Sequence, residues 1–134
     1  MDEVKNVDVN VEFNPPVLKP FSRNEVQLKI TLKNNSDNIL YWGECDINVA
    51  PPLSLASDID LNVGRMRIGI LKPKKELSRP AKVYTRLNNY PDNYNLKVVA
   101  YFYDEDGAIA ERVEKIVSIP CIEERDNNIS AVQA

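Results

Sequence analysis

Apolar and polar residues alternate with a period of two along most of the chain. Val26, Leu28, Ile30 and Leu32 interleave with Gln27, Lys29, Thr31 and Lys33, and the pattern stops at Asn34-Asn35-Ser36-Asp37-Asn38. Successive side chains of an extended backbone point to opposite faces, so this stretch predicts a half-buried strand ending in a polar turn. Val7, Val9, Val11 and Phe13 form an earlier run, closed by Asn14-Pro15-Pro16. A third passes through Tyr41 and Trp42 to Cys45, Ile47 and Val49 and ends at Pro51-Pro52. Short strands are expected near Ile59, Leu61 and Val63 and near Met66, Ile68 and Ile70, with a polar turn over residues 71–76. Ala81, Val83, Thr85 and Leu87 alternate again, and Tyr94, Leu96, Val98, Ala100 and Phe102 give the strongest run. Asp104-Glu105-Asp106-Gly107 has hairpin-turn chemistry, with Gly107 free to adopt a positive φ. The last strand carries Ile109, Val113, Val117 and Ile119. Residues 108–117 also contain good helix formers, but their place after the hairpin turn favours strand.

Seven to nine short strands with turns every 8–12 residues predict an all-β fold, a β-sandwich of two antiparallel sheets. Residues 1–122 are expected to form this single domain, and residues 123–134, polar and without period, a flexible C-terminal tail. At 134 residues the chain is long enough for one core that needs neither disulfide nor metal.

Composition narrows the chemistry. Histidine is absent, which removes the commonest general base and metal ligand. The four glycines never fall two within three residues, so no phosphate-cradling loop exists. The carboxylate pairs Asp58/Asp60 and Asp104/Asp106 lack the further ligands of a calcium loop and read as acidic turns. Cys45 and Cys121 are expected to be buried free thiols. Asn34-Asn35-Ser36 and Asn128-Ile129-Ser130 fit the glycosylation acceptor pattern, a triplet that also arises by chance in Asn-rich turns. The N-terminal MDEVKNVDVNVEF has neither the basic nor the apolar region of a signal peptide, and no apolar run approaches a membrane span. The expected localisation is cytoplasmic, or extracellular if the chain is a piece of an exported protein. No membrane insertion, cofactor or catalytic group is expected.

Charge is distributed unevenly. Arg65, Arg67, Lys72, Lys74, Lys75, Arg79, Lys82 and Arg86 place eight of seventeen basic residues within 22 positions, against one acid, Glu76. Two readings stand: basic side chains protecting an exposed edge strand from aggregation, or a positive patch for an acidic protein partner. Nucleic acid is disfavoured, because only Tyr84 interleaves with the basic residues.

Three segments carry a resemblance. LKITLKNNSDNIL looks like the second strand of the immunoglobulin-like modules of the CARDB/NEW3-like group, found in archaeal and bacterial surface and adhesion-related proteins. Gly69-Ile70-Leu71-Lys72-Pro73-Lys74-Lys75-Glu76 is similar to the family's G-x-L-x-P-G-E turn, with Lys74 at the second glycine. Pro91-Asp92-Asn93-Tyr94-Asn95-Leu96-Lys97-Val98, continuing to Gly107, resembles its P-G-x-Y-x-L-x-V hairpin, with Asp92 at the glycine. The resemblance spans about residues 20–120 and implies a binding, spacer or adhesion role. Tyr94 then falls where such sandwiches place a tyrosine corner, and Tyr94, Trp42 and Gly107 are assigned structural roles. The expected function is a non-catalytic protein-interaction module, the alternative a surface or adhesion domain of a longer exported protein.

Overall fold

Residues that alternate in the sequence alternate in space. The computed structural model describes residues 6–123. Its seven strands are β1 (Val7–Asn14), β2 (Asn24–Asn34), β3 (Leu40–Val49), β4 (Val63–Leu71), β5 (Glu76–Thr85), β6 (Asp92–Tyr103) and β7 (Ile109–Cys121). They form two antiparallel sheets, β1-β2-β5 and β4-β3-β6-β7, stacked as a β-sandwich, with no helix among the described residues. The expected strand over residues 108–117 lies within β7. The tail expected over 123–134 falls, but for Glu123, outside the described residues.

The core is the set of inward positions from both sheets. Val26, Leu28, Ile30 and Leu32 of β2 are essentially inaccessible, as are Leu96, Val98, Ala100 and Phe102 of β6. Gly43 in β3 admits the Phe102 ring: a Cβ there would lie 2.6 Å from the ring edge and 2.9 Å from the Ile68 Cβ. Beside it the β3–β4 register slips, leaving both Tyr41 and Trp42 exposed.

One expected strand does not form. Ile59 and Leu61 lie in the loop before β4, which begins at Val63. The buried Ser54 hydroxyl organises that loop, donating to the Ile59 carbonyl (2.8 Å) and accepting from the backbone N–H of Leu61 (3.0 Å) and Ala56 (3.2 Å). With the Ile59 carbonyl and the Leu61 N–H bonded to Ser54, and the Leu61 carbonyl accepting from Leu55 N–H (2.8 Å), these groups are turned into the loop rather than toward a ladder.

Each end of the sandwich is clamped by a buried asparagine. Asn34 Nδ2 donates to the Asn38 and Leu71 carbonyls (2.7 and 3.2 Å) while its Oδ1 accepts from Ser36 N–H (3.0 Å). Its backbone bonds the turn that carries Lys74 and Lys75. At the other end, Asn89 accepts from Ser22 N–H (3.1 Å) and donates to the Lys19 carbonyl (2.6 Å). Because Asn34 is fully buried, a glycan there is incompatible with this fold; Asn128 lies outside the described residues.

The open edges are blunted. Arg79 Nη2 donates to the Ile68 carbonyl (2.8 Å), occupying an acceptor on the free edge of β4. Pro80, mid-strand opposite Lys29, has no N–H to offer a further strand beside β5. On the opposite side, Leu18 bridges Pro120 and Ile122 through its backbone.

The Tyr94 hydroxyl donates to the Tyr90 carbonyl four residues upstream, which is the corner expected of it. Gly107 (φ 82°) makes the hairpin turn, and Lys74 (φ 62°) takes the left-handed conformation at the position where the resembled turn has glycine. Cys45 and Cys121 are buried free thiols. Burial, reinforced by the adjacent Asp46 carboxylate, pushes the Cys45 thiol up to about 12, and burial raises Cys121 as well.

Three outcomes follow from this packing. Leu28→Ala and Ile30→Ala should each cost about 2–5 kcal/mol, and Lys29→Ala under about 0.5, measured from denaturant midpoints; equal losses at Lys29 and Ile30 would overturn the register. Tyr94→Phe, which removes one hydroxyl, should cost about 1 kcal/mol, and an unchanged midpoint would show that the corner contributes nothing. At about pH 8 the thiolate fraction of Cys45 is negligible. The folded protein should therefore resist iodoacetamide at both cysteines and react at both once denatured; rapid labelling in the folded state would contradict their burial.

Candidate functional site

The two outward faces differ in kind. On the three-stranded sheet the rows read Asp8–Lys33–Glu76, Asn10–Thr31–Ser78, Glu12–Lys29–Pro80 and Asn14–Gln27–Lys82. Thr31 and Ser78 share a hydroxyl contact (3.0 Å), and Lys82 lies 3.3 Å from Glu25. A fifth row pairs Glu25 with Tyr84, so apart from Pro80 and Tyr84 on β5 the face is polar, as a face turned to water requires.

Four rows also cross the other sheet, in the strand order β4, β3, β6, β7. Trp42 stands opposite Tyr103, which is paired with Ile109. Ile70 completes that first row on β4, beside the bulge between the Leu40–Leu71 and Gly43–Gly69 pairs. The second row is Arg67–Glu44–Tyr101–Arg112, the third Arg65–Asp46–Val99–Glu114, the fourth Val63–Asn48–Lys97–Ile116. Ile70, Ile109, Val63 and Ile116 each expose more than half of their surface, and Trp42 exposes 39%. The Arg67 guanidinium lies over the Trp42 ring (5.6 Å) and that of Arg112 over Tyr101 (5.7 Å). Arg65 grips Asp46 through two nitrogens (2.7 and 3.2 Å). That pairing holds the guanidinium further up in its already high range. Val99, though it points outward, is only 3% exposed beneath the charged side chains around it.

The eight basic residues do not gather into one patch. Arg65 and Arg67 belong to the four-stranded outer face just described. Lys72, Lys74 and Lys75 sit in the β4–β5 turn, where Lys74 Nζ donates to the Asn35 carbonyl and approaches Asp37 (3.7 Å). Arg79 bridges the β4 and β5 edges, and Lys82 lies on the three-stranded face. Arg86 lies beyond the far end of β5, about 33 Å from the lysine turn at about 3.3 Å per residue. It faces Asp60 (3.5 Å) in a cleft of about 410 Å³, and its Nη2 is buried without a hydrogen-bond partner. Proximity in sequence reflects a hairpin whose two strands belong to different sheets.

Trp42, given a structural role on sequence grounds, is instead surface in this outer face. Sequence reasoning also passed over Tyr101, Tyr103, Ile109, Arg112 and Ile116 as parts of one surface. A signal was present: in VVAYFY of β6 (residues 98–103) both phases of the alternation are apolar or aromatic, whereas a strand with one solvated face alternates.

No family model matches the chain, and no curated protein matches it. Among solved structures, the crystal structure of Spo0M, a sporulation control protein from Bacillus subtilis, is similar with a TM-score of 0.48 and 13% sequence identity. The likeness covers 97% of this chain and 56% of that one, so the chain spans a little over half the length of that protein.

Proposed function

We propose that the chain is a non-catalytic protein-interaction module with an immunoglobulin-like sandwich, and that it docks through the outer face of its four-stranded sheet. The observation that carries this is the difference between the two outer faces. One is polar but for Pro80 and Tyr84 on β5. The other holds Trp42, Tyr101 and Tyr103 with exposed aliphatics at both edges and arginines lying over two of the rings. Aromatic and arginine side chains are enriched at protein interfaces, and here exposed apolar residues surround two rows of charged ones. Supporting the immunoglobulin-like part is the strand order, β1-β2-β5 against β4-β3-β6-β7, which corresponds to A-B-E against C′-C-F-G. The left-handed Lys74 and the Tyr94 corner support the resemblance to the bacterial and archaeal surface modules.

Of the eight basic residues, Arg65 and Arg67 lie on this face, and the remaining six serve turns, edges or the other sheet. A dispersed set of this kind protects edges and solubility better than it recognises one acidic partner.

Affinity capture from native lysate, quantified by mass spectrometry, tests the reading. Partners held by the wild-type chain should be lost on Trp42→Ala, since truncating a central aromatic typically costs at least about 2 kcal/mol, or about thirtyfold in affinity. The same partners should stay bound to Lys29→Ala on the polar face. Retention by Trp42→Ala together with loss on Lys29→Ala would place the interaction elsewhere.

A further inference from the structure

The four-stranded outer face complements itself. Consider a twofold axis parallel to the strands, midway between β3 and β6 and just above the sheet. That rotation keeps each row at its level and exchanges the strand order, so that β4 of one copy faces β7 of the other and β3 faces β6. In the first row Ile70 then meets Ile109, and Trp42 meets Tyr103. In the third, Arg65 meets Glu114 and Asp46 lies over Val99. In the fourth, Val63 meets Ile116 and Asn48 meets Lys97. Apolar residues face apolar ones at four edge positions, and opposite charges face each other between them. The match is incomplete: Glu44 faces Tyr101 and Asp46 faces Val99, each a carboxylate against an uncharged side chain, and the two arginines of the second row, Arg67 and Arg112, face each other. Each of these already lies over an aromatic ring, with Glu44 directly opposite Arg67 and Glu114 3.6 Å from Arg112.

We propose that the occupant of this face is a second copy of the chain, packed sheet to sheet about that axis. The inference rests on the reading of the face as an interaction surface and names its partner. A face with no such design matches itself in this way only by accident, because an isologous interface requires each patch to fit its own image. Aligned sheets cross at about 30°, and edge strands lie about 7 Å from the axis, so rows at the edges shift by about 4 Å, roughly one residue. Long side chains such as Arg65 and Glu114 span that offset, and the shorter Val63–Ile116 and Ile70–Ile109 pairs meet obliquely, about one residue out of level. Four strands about 4.8 Å apart and about ten residues long offer roughly 600 Å² per copy, against about 800 Å² in a standard specific interface. A face of that size lies at the lower end for specific association, so the expected dimer is a reversible one, with dissociation of micromolar order. Blunting of the β4 and β5 edges fits the same picture, since it directs association to the face rather than to strand addition.

Sedimentation velocity from about 5 to 500 μM, a range bracketing a micromolar constant, tests the proposal with variants chosen for geometry. Wild-type mass should rise from monomer to dimer across the range. Val63→Glu and Ile116→Lys should each weaken the dimer at least about tenfold, as a charge placed against an apolar partner does. The double variant V63E/I116K should restore it. Within one chain those positions lie on β4 and β7 with two strands between them, about 14 Å apart, so only a second chain can bring them together. Mixing the two single variants should likewise yield mixed dimers. Both sites are exposed, and unchanged thermal unfolding of each variant confirms that the fold is intact. A chain that stays monomeric at every concentration overturns the second-copy inference. If Trp42→Ala still loses captured partners in that case, the interaction face stands with a different occupant. A dimer indifferent to Trp42→Ala, Val63→Glu and Ile116→Lys overturns the second-copy inference too, and overturns the interaction face as well if Trp42→Ala also keeps every captured partner.

Discussion

Each sheet must bury one face, and the two faces must be each other's solvent. That constraint fixes which side of every strand is apolar, and the rest of the structure depends on it. Val26, Leu28, Ile30 and Leu32 on β2 meet a layer made by Leu96, Val98, Ala100 and Phe102 on β6, with Gly43 cut back so that Phe102 fits. A shift of one residue in any central strand would turn its whole apolar set to water. Once the inner layer is satisfied, the outer faces are free to differ, and their difference is the basis of the proposed function.

The sandwich is held at its ends and sides by polar groups rather than by further core. Asn34 and Asn89 are fully buried at opposite ends, Asn34 bonding backbone of the β2–β3 turn and of the end of β4, and Asn89 tying its own loop to the β1–β2 connection at Lys19 and Ser22. In a low-dielectric site such bonds cannot be replaced by water, so each asparagine fixes the relative position of the segments it joins. Arg79 and Pro80 act on the exposed side, where β4 and β5 would otherwise present free backbone. These residues add specificity to a core that sets only the layers.

Period-two patterning made β1, β2, β3 and β6 legible, because strand register against a single core is a local property of sequence. The β6–β7 hairpin was legible for the same reason, with Gly107 marking its turn. Other features were not local. Ile59 and Leu61 looked like strand residues until the buried Ser54 hydroxyl claimed their backbone. Asn34 and Asn89 read as solvated turn residues, since composition cannot distinguish a polar side chain facing water from one bonded to a neighbouring loop. The basic residues between Arg65 and Arg86 read as one patch, although their hairpin is divided between two sheets. The outer-face grid depends on pairing between residues as far apart in sequence as Trp42 and Tyr103, which no window of sequence reveals.

Trp42 is the only tryptophan of the chain and stands in the first row of the proposed interface. Its fluorescence therefore reports directly on whether that face is covered. Acrylamide quenching of Trp42, followed as protein concentration rises, tests the central claim most simply. Covering of the face by a second copy predicts quenching that falls as the dimer forms, with the Val63→Glu variant remaining fully quenchable throughout. Quenching that stays constant over a range in which the mass doubles would show that the copies meet elsewhere, and would contradict the account.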